Sequence, residues 1–146
     1  MKKLNKVVFI GGLTNGKIVF DYLIKNKYVD LALTLTYPDD TDESGRVKFP
    51  DGDRIVKSHS VNNFVDKIIE IKPDFIFVAG WSELLSNDII NASKHGTYGF
   101  HPSKLPSDRG RSVLAWQIED GYSQTALTLF KYSDYPDGGD IAAQEI

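Results

Sequence analysis

With 146 residues, 41% of them hydrophobic and 25% charged, the chain has the size of one domain and the make-up of a globular protein rather than a disordered one. Its net charge of −3 argues against broad electrostatic binding to nucleic acid, and the absence of cysteine excludes disulfides, thiolate metal sites and cysteine nucleophiles. No apolar run is long enough to span a bilayer, and Met1-Lys2-Lys3 leads into a short strand, so a single cytoplasmic domain over 1–146 with no membrane partner is expected.

The apolar run Val7–Ile10, closing on Gly11-Gly12, predicts a buried strand entering a tight turn. Asn15 is placed to cap the helix that follows, with Ile18, Val19, Tyr22 and Leu23 on one face. Leu31–Thr36 predicts a second strand. Residues 37–53 are polar and rich in turn formers and read as a long surface loop, with Ile55-Val56 a short strand after it. Ser60 is expected to cap a helix that gathers Phe64, Val65, Ile68 and Ile69 on one side and ends at Pro73. Phe75–Ala79 predicts another buried strand, Leu84–Ile90 a short helix and Thr97–Phe100 a strand. Ser112–Glu119 then forms a helix closed by Gly121, ahead of strands at Thr125–Tyr132 and Ile141–Ile146. The alternation predicts an α/β fold, a doubly wound and mostly parallel twisted sheet with helices on both faces. A core strand is an unusual place for a chain to stop, so a fragment truncated at its C-terminus is expected.

Several residues can carry chemistry. The loop GGLTNG lies between a strand and a helix, where backbone N–H groups and the helix dipole can hold a phosphate; a plain turn needing glycine explains it equally well. Its spacing is not GxGxxG, and Asp39 and Asp40 fall in the loop after the second strand, so a dinucleotide site is the weaker reading. His59 lies among serines and His95 follows Lys94 near a helix end; both read as structural or solvated. No two histidines have ligand spacing, and no metal is expected.

His101 is different, because it sits at the carboxyl end of a predicted strand, where open α/β sheets place their ligands. Asp134, Asp137 and Asp140 recur every third residue without the spacing of a calcium loop. Asp137-Gly138-Gly139 suits a tight turn, and becomes a site only if the fold brings Asp137 to His101. Lys104, Arg109 and Arg111 form either a solvated loop or a clamp for a phosphate-bearing substrate.

Two runs settle the family reading: GTYGFHPSKLPSDRG over 96–110, and DYPDGGDI over 134–141. His101-Pro102-Ser103, Leu105-Pro106 and Arg109-Gly110, followed by Asp137-x-Gly139-Asp140-Ile141, resemble the signature of the N-terminal catalytic domain of the formyltransferases, which use 10-formyltetrahydrofolate. The resemblance extends over nearly the whole chain. It implies His101 and Asp137 as catalytic residues, the histidine supporting proton transfer and the aspartate holding its ring. It further implies a folate pocket from Trp81, Ser82, Glu83, Leu84 and Leu85 together with Tyr135 and Pro136, and substrate contacts from Gly12, Ser103, Lys104, Arg109 and Arg111.

One position departs from the pattern. The family carries Asn-x-His, with the asparagine amide facing the oxyanion, and here Gly99 stands at the asparagine position. Losing one such donor costs on the order of a hundred- to a thousand-fold in rate. Either Ser103 or a backbone N–H replaces it, or the chain is a weak or inactive relative. The three cations and the SKLPSDRGR stretch favour an amino-sugar nucleotide as the amine. The negative charge counts against tRNA. A homodimer is compatible with the resemblance. The alternatives are a relative that binds folate or sugar nucleotide without turnover, for which Gly99 speaks, and an NAD-type oxidoreductase fragment, for which only GGLTNG speaks.

Overall fold

A computed structural model describes residues 3–40, 47–133 and 137–146, and divides into two compact units, 1–97 and 98–146. The first unit is built on β1 (Asn5–Gly11), β2 (Val29–Thr36), β3 (Ile55–Lys57) and β4 (Phe75–Ala79). Their order is β3-β2-β1-β4 and every pairing is parallel. Val7, Val8, Phe9 and Ile10 are at most 1% exposed, as expected for a strand buried on both faces, which explains why an unbroken apolar run was legible as strand. Between the strands lie α1 (Leu13–Lys25), a 3-10 turn (Val61–Phe64), α2 (Val65–Ile71) and α3 (Asn87–Ile90).

The structure corrects several local expectations in this unit. Helix α1 starts at Leu13 with Gly12 as its N-cap, so Asn15 lies inside the first turn and its side chain accepts from the Gly16 N–H instead. The buried face is Gly16, Phe20 and Leu23, while Ile18 and Tyr22 are about two-thirds exposed at 65% and 66%. The cause is a close approach: a Cβ on Gly16 would lie 2.6 Å from the Ala79 carbonyl oxygen, so the helix rotates its glycine onto β4.

The 37–53 stretch is not wholly a surface loop. Phe49 is buried and closes an aromatic cluster with Phe9 and Phe20, its ring 5.0 Å from that of Phe20. Lys57 pins the same stretch through Asp39, Asp51 and the Phe49 carbonyl. These ion pairs and hydrogen bonds hold Lys57 above, and Asp51 below, their ordinary proton affinities.

Ser60 gives no side-chain cap to the helical segment after it, and Ile69 is exposed. The Glu83 carboxylate takes that role from 22 residues away, accepting from the Val61 N–H at 2.7 Å. Helix α3 begins at Asn87, three residues later than its expected start, because Ser86 supplies the N-cap and its hydroxyl accepts from Ile89.

The second unit contains β5 (Thr97–His101), α4 (Val113–Glu119), β6 (Leu127–Lys131) and β7 (Ile141–Glu145). Here the strands pair antiparallel, in the order β5-β6-β7. The stretch 132–140 between β6 and β7 is shorter than the dozen or so residues a parallel crossover requires, so the chain doubles back. The expected buried terminal strand is corrected too, for all five residues of β7 are exposed. The whole is α/β, with its parallel strands in the first unit.

Candidate active site

His101 is the last residue of β5, and its side chain is 7% exposed. Antiparallel register sets Gly99 opposite Phe130 and His101 opposite Thr128, so these four residues share one sheet face, and period-two alternation adds Tyr132 to that face. The loop after β5 folds back on the histidine. The His101 ring donates from Nε2 to the Asp108 carbonyl at 2.7 Å, which selects the tautomer and leaves Nδ1 facing Asp137, whose Oδ2 is 3.8 Å away. The same Asp137 oxygen accepts from the Gly110 N–H at 2.9 Å. A carboxylate beside Nδ1 stabilises a proton arriving there, which is the arrangement a histidine needs to hold positive charge in a transition state.

The loop itself is held at many points. Thr128 donates to the Ser103 carbonyl at 2.6 Å, and Gln144 bridges the Leu105 carbonyl and the Thr128 hydroxyl. Leu105 is buried, and the Leu105–Pro106 peptide is cis. Asp108, Ser112 and Asp137 have φ of 56°, 55° and 53°, left-handed values uncommon for non-glycine residues and most accessible to aspartate among these.

Ser103 does not fit the substrate-binding role expected of it, nor that of a substitute for the missing amide. It is fully buried and its hydroxyl donates to the Ser107 carbonyl at 2.7 Å. Lys104, Arg109 and Arg111 are exposed, which a solvated loop and a substrate clamp share. Lys104 lines a cleft of about 290 Å³, and Arg109 and Arg111 line one of about 190 Å³.

The two clefts share Asp108, Gln117 and Tyr122, residues that sequence reasoning missed. Gln117 is 5% exposed, and among the described residues its Oε1 has no hydrogen-bond partner. Tyr122 donates to the Asp108 carboxylate, a hydrogen bond to a charged acceptor that raises the phenol's pKa. Nothing in the local spacing marks these three, because they meet only when the loop turns back onto α4.

In the first unit, the segment expected to hold folate is fastened to its own neighbours. Trp81 stacks on Tyr37 with ring centroids 4.1 Å apart, and the Tyr37 hydroxyl accepts from the Ser82 N–H at 3.1 Å. Asn62 ties down both the Leu84 carbonyl and the Ser86 N–H. Glu83 is committed to the Val61 cap described above. Leu84 is 80% exposed, and the buried Trp81 Nε1 has no partner among the described residues. Tyr37 had no sequence signal as a member of this cluster. Gly12 has its N–H bonded to the Ala79 carbonyl at 3.2 Å and its α-carbon against the Tyr37 ring, so that amide is not available to a substrate or phosphate. Tyr135 and Pro136, expected at the folate pocket, and Asp134 lie outside the described residues.

Comparison with known proteins identifies the family and the fold. The formyl transferase family model matches residues 5–146. Methionyl-tRNA formyltransferase of Thermotoga neapolitana is 28% identical over 150 aligned residues, covering 95% of this chain but 48% of its own length, so the chain spans about half of that relative. Phosphoribosylglycinamide formyltransferase from Bacillus halodurans has the same fold, with a TM-score of 0.73 at 22% identity over 96% of this chain and 78% of that one. So does an uncharacterised Mycobacterium tuberculosis protein suggested to be a sugar N-formyltransferase, with a TM-score of 0.68 at 17% identity over 97% of this chain and 54% of that one. With the family model matching residues 5–146, nearly the whole chain, the chain belongs to the formyl transferase family.

Proposed function

We propose that the protein moves a formyl group from 10-formyltetrahydrofolate to an amine carried by a nucleotide-linked sugar. The observation that carries the reading is the His101–Asp137 pair, with Nδ1 and Oδ2 3.8 Å apart on a buried ring whose other nitrogen is held by Asp108. In this reading the amine attacks the formyl carbon, His101 handles the proton the amine releases, and Asp137 steadies the positive charge on the ring. Lys104, Arg109 and Arg111 stand exposed around the two clefts, where they suit a diphosphate better than a neutral amine. The cysteine-free composition suits the cytoplasm, and no described helix is long and apolar enough to cross a membrane. The reading as a dinucleotide oxidoreductase is disfavoured by the Gly12 amide, already bonded within the protein.

The deciding experiment is turnover of 10-formyltetrahydrofolate against a panel of amino-sugar nucleotides, with glycinamide ribonucleotide and methionyl-tRNA alongside, and the product identified by mass. Formylation of a sugar nucleotide at the highest kcat/KM is expected. A preference for either of the other amines overturns the substrate assignment, and donor binding without any product makes the protein a binding module.

The donor pocket has its own test. Leu84 is 80% exposed, so Leu84→Asp should leave the fold intact while placing a charge in the apolar slot proposed for the pterin ring. The expected result is at least a tenfold weaker folate Kd by calorimetry, with sugar-nucleotide binding unchanged. Equal loss of both ligands in a folded variant would put the slot elsewhere.

A further inference from the structure

Position 99 has no side chain, yet the space beside it is filled. A Cβ built on Gly99 would run into the Tyr132 ring, with the tyrosine hydroxyl oxygen 3.0 Å away. That is roughly where the end of a short polar side chain at position 99 would reach. Tyr132 lies just past β6 and stacks on Phe130, ring centroids 5.2 Å apart and ring planes nearly parallel at 5°. Its contact with Gly99, and alternation continued one residue past β6, put it on the face from which His101 projects, two residues along β5 from Gly99. We propose that Tyr132 is a catalytic residue, its hydroxyl donating a hydrogen bond to the formyl oxygen as negative charge develops there; this rests on the formyl-transfer reading above.

The chemistry needs such a donor. The amine lone pair forms a bond to the formyl carbon, and the C=O π pair moves onto oxygen. The Tyr132 hydroxyl bonds to that oxygen and keeps its own proton throughout. On collapse the pair returns to the C=O bond, the bond from carbon to the folate nitrogen breaks, and that nitrogen leaves with the electron pair. It gains the proton that the amine released through His101. Burial, and then the neighbouring Asp137 charge, push the Tyr132 phenol up to about 12, so it remains a donor at any working pH. The surrounding charges point the same way. Asp137 faces this side of the site, and anionic tyrosine beside it would be doubly disfavoured. A proton held firmly on oxygen suits hydrogen bonding to an oxyanion, and it does not suit proton transfer.

A purely structural role is a serious competitor, because an aromatic ring laid over a glycine on the adjacent strand is a known means of stabilising a sheet. Tyr132→Phe separates the two, since phenylalanine keeps the ring over Gly99 and removes only the hydroxyl. The expected result is a fall in kcat of about a hundred-fold, with both KM values within about threefold and the melting temperature little changed. A folded Tyr132→Phe with kcat within twofold of wild type overturns the proposal and leaves formyl transfer standing. Wild-type protein with no turnover on any amine of the panel overturns formyl transfer, and the role of Tyr132 with it. Should Tyr132→Phe fail to fold, Tyr132→Ala and Gly99→Asn/Tyr132→Ala decide. A tenfold or greater gain of the double variant over the single supports a donor at this place, and no gain overturns it.

Discussion

Replacing His101 with asparagine should lower kcat by at least about a hundred-fold while the protein stays folded. Asparagine places its amide near the position of Nδ1 and stops short of Nε2, so it loses both the 2.7 Å contact with the Asp108 carbonyl and the group that takes up a proton, and the thermal melt reads the first loss apart from the second. Asp137→Asn is expected to be comparably harmful for a different reason. Its amide oxygen can still accept from the Gly110 N–H, which holds the loop, while the charge 3.8 Å from Nδ1 disappears. The measurements are steady-state kcat and KM together with a thermal melt for each variant. Wild-type turnover in either one removes that residue from the mechanism. A loss confined to KM would make it a binding group.

Gly99→Asn should also be damaging, despite restoring the residue type that the family signature carries at this position. The new side chain would enter space that the Tyr132 ring already fills. Overpacking of this kind costs about 1–3 kcal/mol, and the displaced ring would take its hydroxyl away from the reacting oxygen. We expect kcat to fall at least tenfold and the melting temperature to drop. A robust rise in turnover would mean that the wild-type site lacks a donor altogether and that the chain is a decayed enzyme.

Much of the fold was legible because buried parallel strands leave unbroken apolar runs. Val7–Ile10 and Phe75–Ala79 form strands in the structure, and the short helices fall between strands in the expected order. The proposed pair of His101 and Asp137, which the structure sets 3.8 Å apart, was legible for a separate reason. A histidine closing a strand and an aspartate in a glycine-rich turn, each within its own motif, can be read one segment at a time. The family followed from those motifs and not from the strand pattern, which many α/β folds share.

What the sequence could not determine depends on contacts between residues distant along the chain. Helical periodicity in α1 allowed several faces, and only the approach of Gly16 to the Ala79 carbonyl selected the one that is buried. Ser60 looked like a cap by local spacing, yet the Val61 N–H found Glu83, a stronger, charged acceptor brought there by tertiary packing. Phe49 lay in a polar stretch and was drawn into the core by two other phenylalanines. At the candidate site the difference was largest. Gly99 read as a missing amide, because a one-dimensional motif records only what its own residue supplies. Antiparallel pairing of β5 with β6 sets Phe130 opposite Gly99 and brings the Tyr132 ring into the vacant volume, and only the folded sheet could place that hydroxyl beside the position of the missing side chain.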